Sequence, residues 1–418
     1  MNVLIKSATI LDVKSDFHNK TQDILVENGR ITEIANSIKN TKNYPEISLK
    51  NLHVSQGWFD SSVSFGEPGY EDRETIANGL LVAAHSGFTN VALNPNTSPV
   101  IDSHSEVAFV QNKSENAATQ LHAIGALTQG AKGTHLAELY DMHTAGSVAF
   151  GDYKKPISNP NVLKIALQYA ANFGGLVQSF PLDEDIARAG VINENITSTR
   201  LGLKGNPNLA EELQVARDIS ILEYTGGTLH IPTISTAKSV ALIRNAKSKG
   251  LDISCSVAIH NLIFTDTCLE SYNTNCKVNP PLRTQNDIDA LIEGLKDGAI
   301  DMITSDHDPV AIEHKKVEFD FAAFGTIGLE SAFGALNSIF TTKQAIQFLT
   351  KGKKRFNIPE NSIAIGNECS MTLFDPKSTY VFESKHIHSK SKNSMFLGRQ
   401  LKGNVYGIIA NNICTIDL

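Results

Sequence analysis

The chain has 418 residues, 41% hydrophobic and 19% charged, with a net charge of −7 at pH 7; that suffices for one large domain with a substantial core and a smaller companion. The acidic balance, free of long basic runs, excludes a partner held by bulk positive charge, so neither nucleic acid nor an anionic membrane surface is expected. Five cysteines without a C-x-x-C pair suit reduced thiols rather than a disulfide framework. No stretch approaches the ~18 apolar residues of a membrane span, and a cytoplasmic protein is expected.

The opening residues MNVLIKSATILDVKSD hold a short apolar run soon followed by acids, which predicts a strand rather than a signal peptide. From residue 57 onward, apolar runs recur as candidate strands at 57–65, 89–94, 121–127, 147–152, 176–180, 228–234, 253–260 and 300–305. Stretches with helical spacing lie between them, among others 73–86, 161–173, 209–224, 238–249 and 285–296. Strand and helix alternating eight times is the pattern of a (β/α)8 TIM-type barrel, here over 54–365. Residues 1–53 and 366–418 instead hold short alternating strands with turn residues between them. An isolated hairpin is marginal in water, so both ends are expected to join as one composite β-sandwich. The class is α/β.

In such a barrel chemistry sits at the C-terminal ends of the strands. Those ends carry FDSSVSFGEPGYEDRET, ALNPNTSPVID, SVAFGDYKKP, LVQSFPLDED, LHIPTISTAKSV and MITSDHDP, with KVNPPLR before the eighth strand. The ordered set EPG-x-E-x-x-ET, PNT-x-PVID, NPPLR and DH-x-P, together with the closing SKSKNSMFLGRQLKGNV, resembles the type I dihydroorotases of the amidohydrolase superfamily along nearly the whole chain. The resemblance implies an enzyme that closes carbamoyl-aspartate to dihydroorotate, or reopens the ring amide. One or two zinc ions polarise the carbonyl and supply hydroxide, and an aspartate after strand eight, here Asp306, shuttles the proton.

At the positions where the family carries its zinc histidines, this chain has Ser62 and Ser64 after strand one, Ser179 on strand five and Thr233 on strand six. Of the family's ligand positions only Asp152 and Asp306 keep a carboxylate. A neutral hydroxyl is a poor zinc donor, so no zinc cofactor is expected. The arginine that clamps the substrate carboxylate corresponds to Gly66, the last histidine of the family's strand-eight run to Val310, and its alanine to Asp308. Asn96 and Asn279 match family substrate-binding positions, and equally suit turns beside Pro95 and Pro280. His230 and His307 read as core or supporting histidines before they read as new ligands, and His260 stands where the family also has histidine. Asp152, Tyr153, Lys154 and Lys155 form the densest polar cluster; a solvated loop with an ion pair is the first reading, a rebuilt active site the second.

Zinc lowers the pKa of its water from about 15.7 to about 7, whereas a carboxylate base alone contributes ~10²–10⁴-fold. The leading expectation is therefore a non-catalytic dihydroorotase homologue of pyrimidine biosynthesis, similar to zinc-less relatives that serve as structural partners of aspartate carbamoyltransferase. A homo-oligomer is also expected. The alternatives are a working dihydroorotase using another metal or none, and a different activity built on Asp152, Lys154 and Asp306.

Overall fold

The computed structural model describes residues 1–416. Eight parallel strands pair in chain order: Trp58–Val63, Phe88–Leu93, Gln120–Gly125, Ala149–Phe150, Val177–Gln178, Leu229–Ile231, Ile253–Ala258 and Met302–Thr304. All eight expected strands are present; seven are shorter than their apolar runs, whose last residues turn into the rim loops, and Phe88–Leu93 keeps the length of the 89–94 run one residue earlier. These strands are buried on both faces, as parallel strands under a helical layer must be.

The seam between strands eight and one closes the barrel. Val63 bridges His307 in parallel register, and the Ser64 amide donates to the His307 carbonyl over 2.8 Å. Asp60, fully buried, accepts from the Ser305 amide at 2.9 Å, the Ser62 amide at 3.0 Å and the Thr304 hydroxyl. Burial pushes the Asp60 carboxyl above the usual range, against the pull of these donors.

The principal helices of the outer ring are Ile76–His85, His104–Lys113, Leu139–Thr144, Pro160–Ala170, Asn208–Thr225, Ala237–Ser248, Gln285–Asp297, Ala332–Ile339 and Thr342–Thr350. Their starts are written in the sequence. Thr75 and Thr236 accept from the amides three residues on, Asn159 caps a helix with Pro160 at its first position, and Thr341 forms a capping box with Gln344.

The two chain ends join as expected. Strand His53–Gln56 runs parallel to Thr9–Ile10 and antiparallel to Met371–Phe374, so N- and C-terminal segments pair through it into one continuous eight-stranded sheet. Val3, Ile5, Ile24, Val26, Ile31, Val54, Met371, Leu373 and Ile409 form its common core. Trp58, completely buried, packs on Phe88, Phe333 and Phe374 and ties this sheet to the barrel. Gly87 makes the junction possible: its φ is +94°, and a Cβ there would lie 2.6 Å from the Trp58 ring.

Candidate functional site

At the C-terminal mouth Ser61, Ser62, Asn94, Tyr153, Lys154, Gln178, Phe180, His230, Pro232, Thr233, Ser256 and Asp306 enclose a cavity of only about 10 Å³. That is roughly the room one water needs, against the roughly 300 Å³ or more of ordinary ligand pockets. The space is taken by Lys154. Its ammonium donates to Asp306 Oδ2 over 2.9 Å and lies 3.7 Å from Asp308, whose Oδ2 also accepts from the Tyr153 hydroxyl at 3.2 Å. The Lys154 side chain is 12% exposed and that of Asp306 1%. The 152–155 run is therefore no solvated loop. Its ion pair is real, but it is sunk into the barrel mouth, and only Lys155 remains exposed.

The electrostatics follow from that burial. Desolvation alone would lower the Lys154 pKa, but Asp306, Tyr153 and Asp308 outweigh it and hold the ammonium charged far above its usual range. Desolvation raises the Asp306 carboxyl to about 6 even though Lys154 pulls it down. His260 faces the same carboxylate, Nε2 to Oδ2 4.0 Å, and neither ring nitrogen has a hydrogen-bond partner among the described residues. Burial, helped by Lys154, lowers its pKa to about 3, so the ring is neutral. His230 is likewise lowered to about 3 by burial and by Arg355, with Nδ1 2.8 Å from the Ser254 hydroxyl. His307 Nδ1 accepts from the Gly328 amide at 3.2 Å, a supporting role in the eighth strand's turn.

The other sequence-selected residues divide. Ser62 and Ser64 come together: their hydroxyls accept from the Asn94 amide at 3.1 and 3.3 Å. Ser179 turns away and donates to Asp218 on the helix outside, 2.6 Å. Asp152 does not line the cavity; it accepts from the Thr128 amide at 2.9 Å and from the Thr128 hydroxyl. Thr233 lines the cavity with φ +52°, a conformation a β-branched residue rarely adopts. Tyr153 at +58° and Asp306 at +49° share this left-handed geometry, so three strand ends at one site hold backbone strain. Asn96 and Asn279 lie outside the cavity lining; Asn96 Oδ1 is buried without a partner among the described residues, and Asn279 precedes a cis proline. At Gly66 a Cβ would sit 1.7 Å from the Tyr70 carbonyl, which leaves no room for any side chain. The Val310 amide donates to Asn393 of the closing segment at 3.1 Å, and Asn393 in turn holds the Asp308 carbonyl, 3.1 Å.

Against this geometry the comparisons with known proteins are specific. The family model described as dihydro-orotase-like matches residues 53–239. A dihydroorotase from Pelotomaculum thermopropionicum is 41% identical over 96% of both chains, and one from Ruminiclostridium cellulolyticum 40% identical over the same shares. The chain belongs to the dihydroorotase family. Solved structures agree on the fold: an L-hydantoinase from Arthrobacter aurescens superimposes with a TM-score of 0.85 at 20% identity, covering 98% of this chain and 95% of that one. A dihydropyrimidinase from Brevibacillus agri gives 0.82 at 20% identity, covering 98% and 94%.

The donor set of this dihydroorotase-family chain does not fit the zinc that the family implies. Among the described residues no three histidine, cysteine, aspartate or glutamate side chains converge as metal ligands. Where a dication would need anionic or imidazole donors, there are hydroxyls at Ser62 and Thr233, a Ser179 committed to Asp218, and a lysine cation bound to Asp306. Two contributors escaped the sequence reading. Asn94, which bridges the two serines, gave no signal beyond its place at a strand end. Asp60 was visible as a lone acid in a buried strand.

Proposed function

We propose that this chain is a non-catalytic member of the dihydroorotase family that works without zinc and contributes structurally to pyrimidine biosynthesis. The observation that carries this reading is the Lys154 ammonium, 2.9 Å from Asp306, inside a cavity of about 10 Å³. A cation supplied by the chain neutralises the carboxylate that would otherwise act as base. No space remains for a six-membered ring beside it, and the backbone at Gly66 excludes the carboxylate clamp. The name shared by the relatives supports the pathway.

The test is an assay of the purified chain in both directions, with and without added zinc, manganese or cobalt, together with elemental analysis. The expected outcome is less than about one zinc per hundred chains and no turnover above background. A rate within the ~1–10³ s⁻¹ usual for enzymes, abolished by Asp306→Asn, would establish the alternative of a working dihydroorotase.

A barrel that keeps its frame without its chemistry still offers surface, and the structural partner that this reading favours is aspartate carbamoyltransferase of the same cell. Co-expressed, the two chains are expected to co-elute on size exclusion at micromolar concentration, with a mass by light scattering equal to a defined complex. Separate elution, with the transferase equally stable alone, removes that partner.

A further inference from the structure

Outside the barrel mouth, the segment between strand seven and NPPLR brings two cysteines together. Cys268 lies on the 3-10 turn Asp266–Ser271 and Cys276 on the turn Thr274–Cys276. Their sulfurs are 2.7 Å apart, only about 0.7 Å beyond a disulfide bond. Both turns are held independently of the sulfurs. Asp266 accepts from Asn193 at 2.8 Å, the Tyr272 hydroxyl donates to the Leu201 carbonyl at 2.9 Å, and Thr274 and Lys315 exchange hydrogen bonds of 2.8 and 2.9 Å. The approach is thus built by neighbouring segments and is not the chance meeting of two mobile side chains. Cys268 is part-exposed, while Cys276 is buried.

We propose that Cys268 and Cys276 form a reversible disulfide, a redox-modification site that exchanges with low-molecular-weight disulfides. The part-exposed Cys268 thiolate attacks one sulfur of the external disulfide. A mixed disulfide forms and one external thiolate leaves. Cys276, after losing its proton to solvent, then attacks the Cys268 sulfur and expels the second external thiolate. The two protein thiols give up two protons and two electrons, and the external disulfide is reduced to two thiols. The division of labour suits the surroundings. Pairing with Cys276 is the main force that lowers the Cys268 pKa to about 7; burial opposes it and Arg399 assists, which makes Cys268 the more acidic of the two and the attacking thiol. The Cys276 thiol is shifted upward, first by its contact with Cys268 and then by burial, and serves as the resolving thiol. The other three cysteines differ: desolvation pushes the buried Cys255 and Cys369 well up, and raises the part-exposed Cys414 as well.

The full chain is equilibrated with oxidised glutathione, quenched with acid, alkylated under denaturing conditions and mapped by peptide mass spectrometry. Two of the five thiols are expected to become unavailable, with a Cys268–Cys276 linked peptide about 2 Da lighter than the reduced pair, all reversed by dithiothreitol. Cys276→Ser is expected to trap a glutathione adduct on Cys268, and Cys268→Ser to remain unmodified at Cys276. Five alkylatable thiols after equilibration with excess oxidised glutathione overturn the proposal. So does a stable glutathione adduct on wild-type Cys268, because the neighbouring thiol would then have failed to resolve it. Both of these readouts use the wild-type chain and stand whether or not either variant folds.

Discussion

Replacing Lys154 with methionine is expected to destabilise the chain by about 3–5 kcal/mol at pH 8, the cost of removing one partner of a buried ion pair. The surface value of about 0–1 kcal/mol does not apply, because the Lys154 side chain is 12% exposed and that of Asp306 1%. The loss should depend on pH with a definite sign. The folded Asp306 carboxyl, raised by burial, sits at about 6 with the ammonium beside it; without the ammonium it rises further. The unfolded carboxyl ionises near ~4. Between these values the unfolded chain releases a proton that the folded variant must keep, or else it buries an uncompensated charge. The variant therefore loses stability as pH climbs from about 4 through 6 and beyond. At low pH, where Asp306 is protonated in both states, wild type gains nothing from the pair and the gap narrows. Urea unfolding at pH 5 and pH 8 measures this directly. A deficit that is equal at both pH values, or below about 1 kcal/mol, would mean that the pair behaves as a solvated one.

How far the sequence foretold this site depends on the distance over which each contact is encoded. The eight strands were legible because a parallel strand buried on both faces must be an apolar run, and helix caps such as Thr75 and Asn159 are local signals. That serine or threonine stands at 62, 64, 179 and 233, where the family resemblance implies histidine, is read directly from the sequence. What fills the barrel mouth was not legible. The run DYKKP looks like a solvated loop, since nothing local states that Tyr153 adopts φ +58° and that Lys154 reaches a carboxylate 152 residues away. The same holds for Asp60, whose partner Thr304 lies 244 residues on, and for Ser179, whose hydroxyl goes to Asp218 instead of the cavity. At Gly66 the sequence told only of a missing arginine. The backbone adds that the Tyr70 carbonyl has closed over the place.

The three left-handed residues at the strand ends bear on how this arrangement arose. Tyr153, Thr233 and Asp306 hold conformations that cost about 1–3 kcal/mol each and that persist only under support. Thr233 is braced by its amide donating to Ser256 at 3.1 Å, and Asp306 by its amide donating to Thr304 at 3.1 Å. Strain of this kind clusters at functional sites. Here it surrounds a lysine–aspartate pair, and the proposed reading is that a catalytic frame is kept while its chemistry is exchanged for internal charge neutralisation.

If that exchange is what bars zinc, restoring the histidines alone will not bring the metal back. The fourfold variant Ser62→His, Ser64→His, Ser179→His, Thr233→His is expected to retain almost no zinc after dialysis. Adding Lys154→Ala should raise the content toward about one zinc per chain. The reason is a magnitude: a dication about 4 Å from the Lys154 ammonium is repelled by about 8 kcal/mol at an effective dielectric near 20, close to six orders of magnitude in affinity. Removing the propylammonium end of the side chain also opens a cavity that now has about 10 Å³ to offer. The change at residue 179 does not orphan Asp218, which keeps Gln214 and Arg217 as donors when the Ser179 hydroxyl is gone. Circular dichroism establishes that both variants fold, and elemental analysis gives the ratio of zinc to protein. Stoichiometric zinc in the fourfold variant would show that the lysine does not block the site and that the lost histidines alone account for it. A fivefold variant that folds yet stays empty would place the obstacle in the closed backbone around Gly66 and in Asp152's commitment to Thr128. In either case the ammonium would lose the role assigned to it.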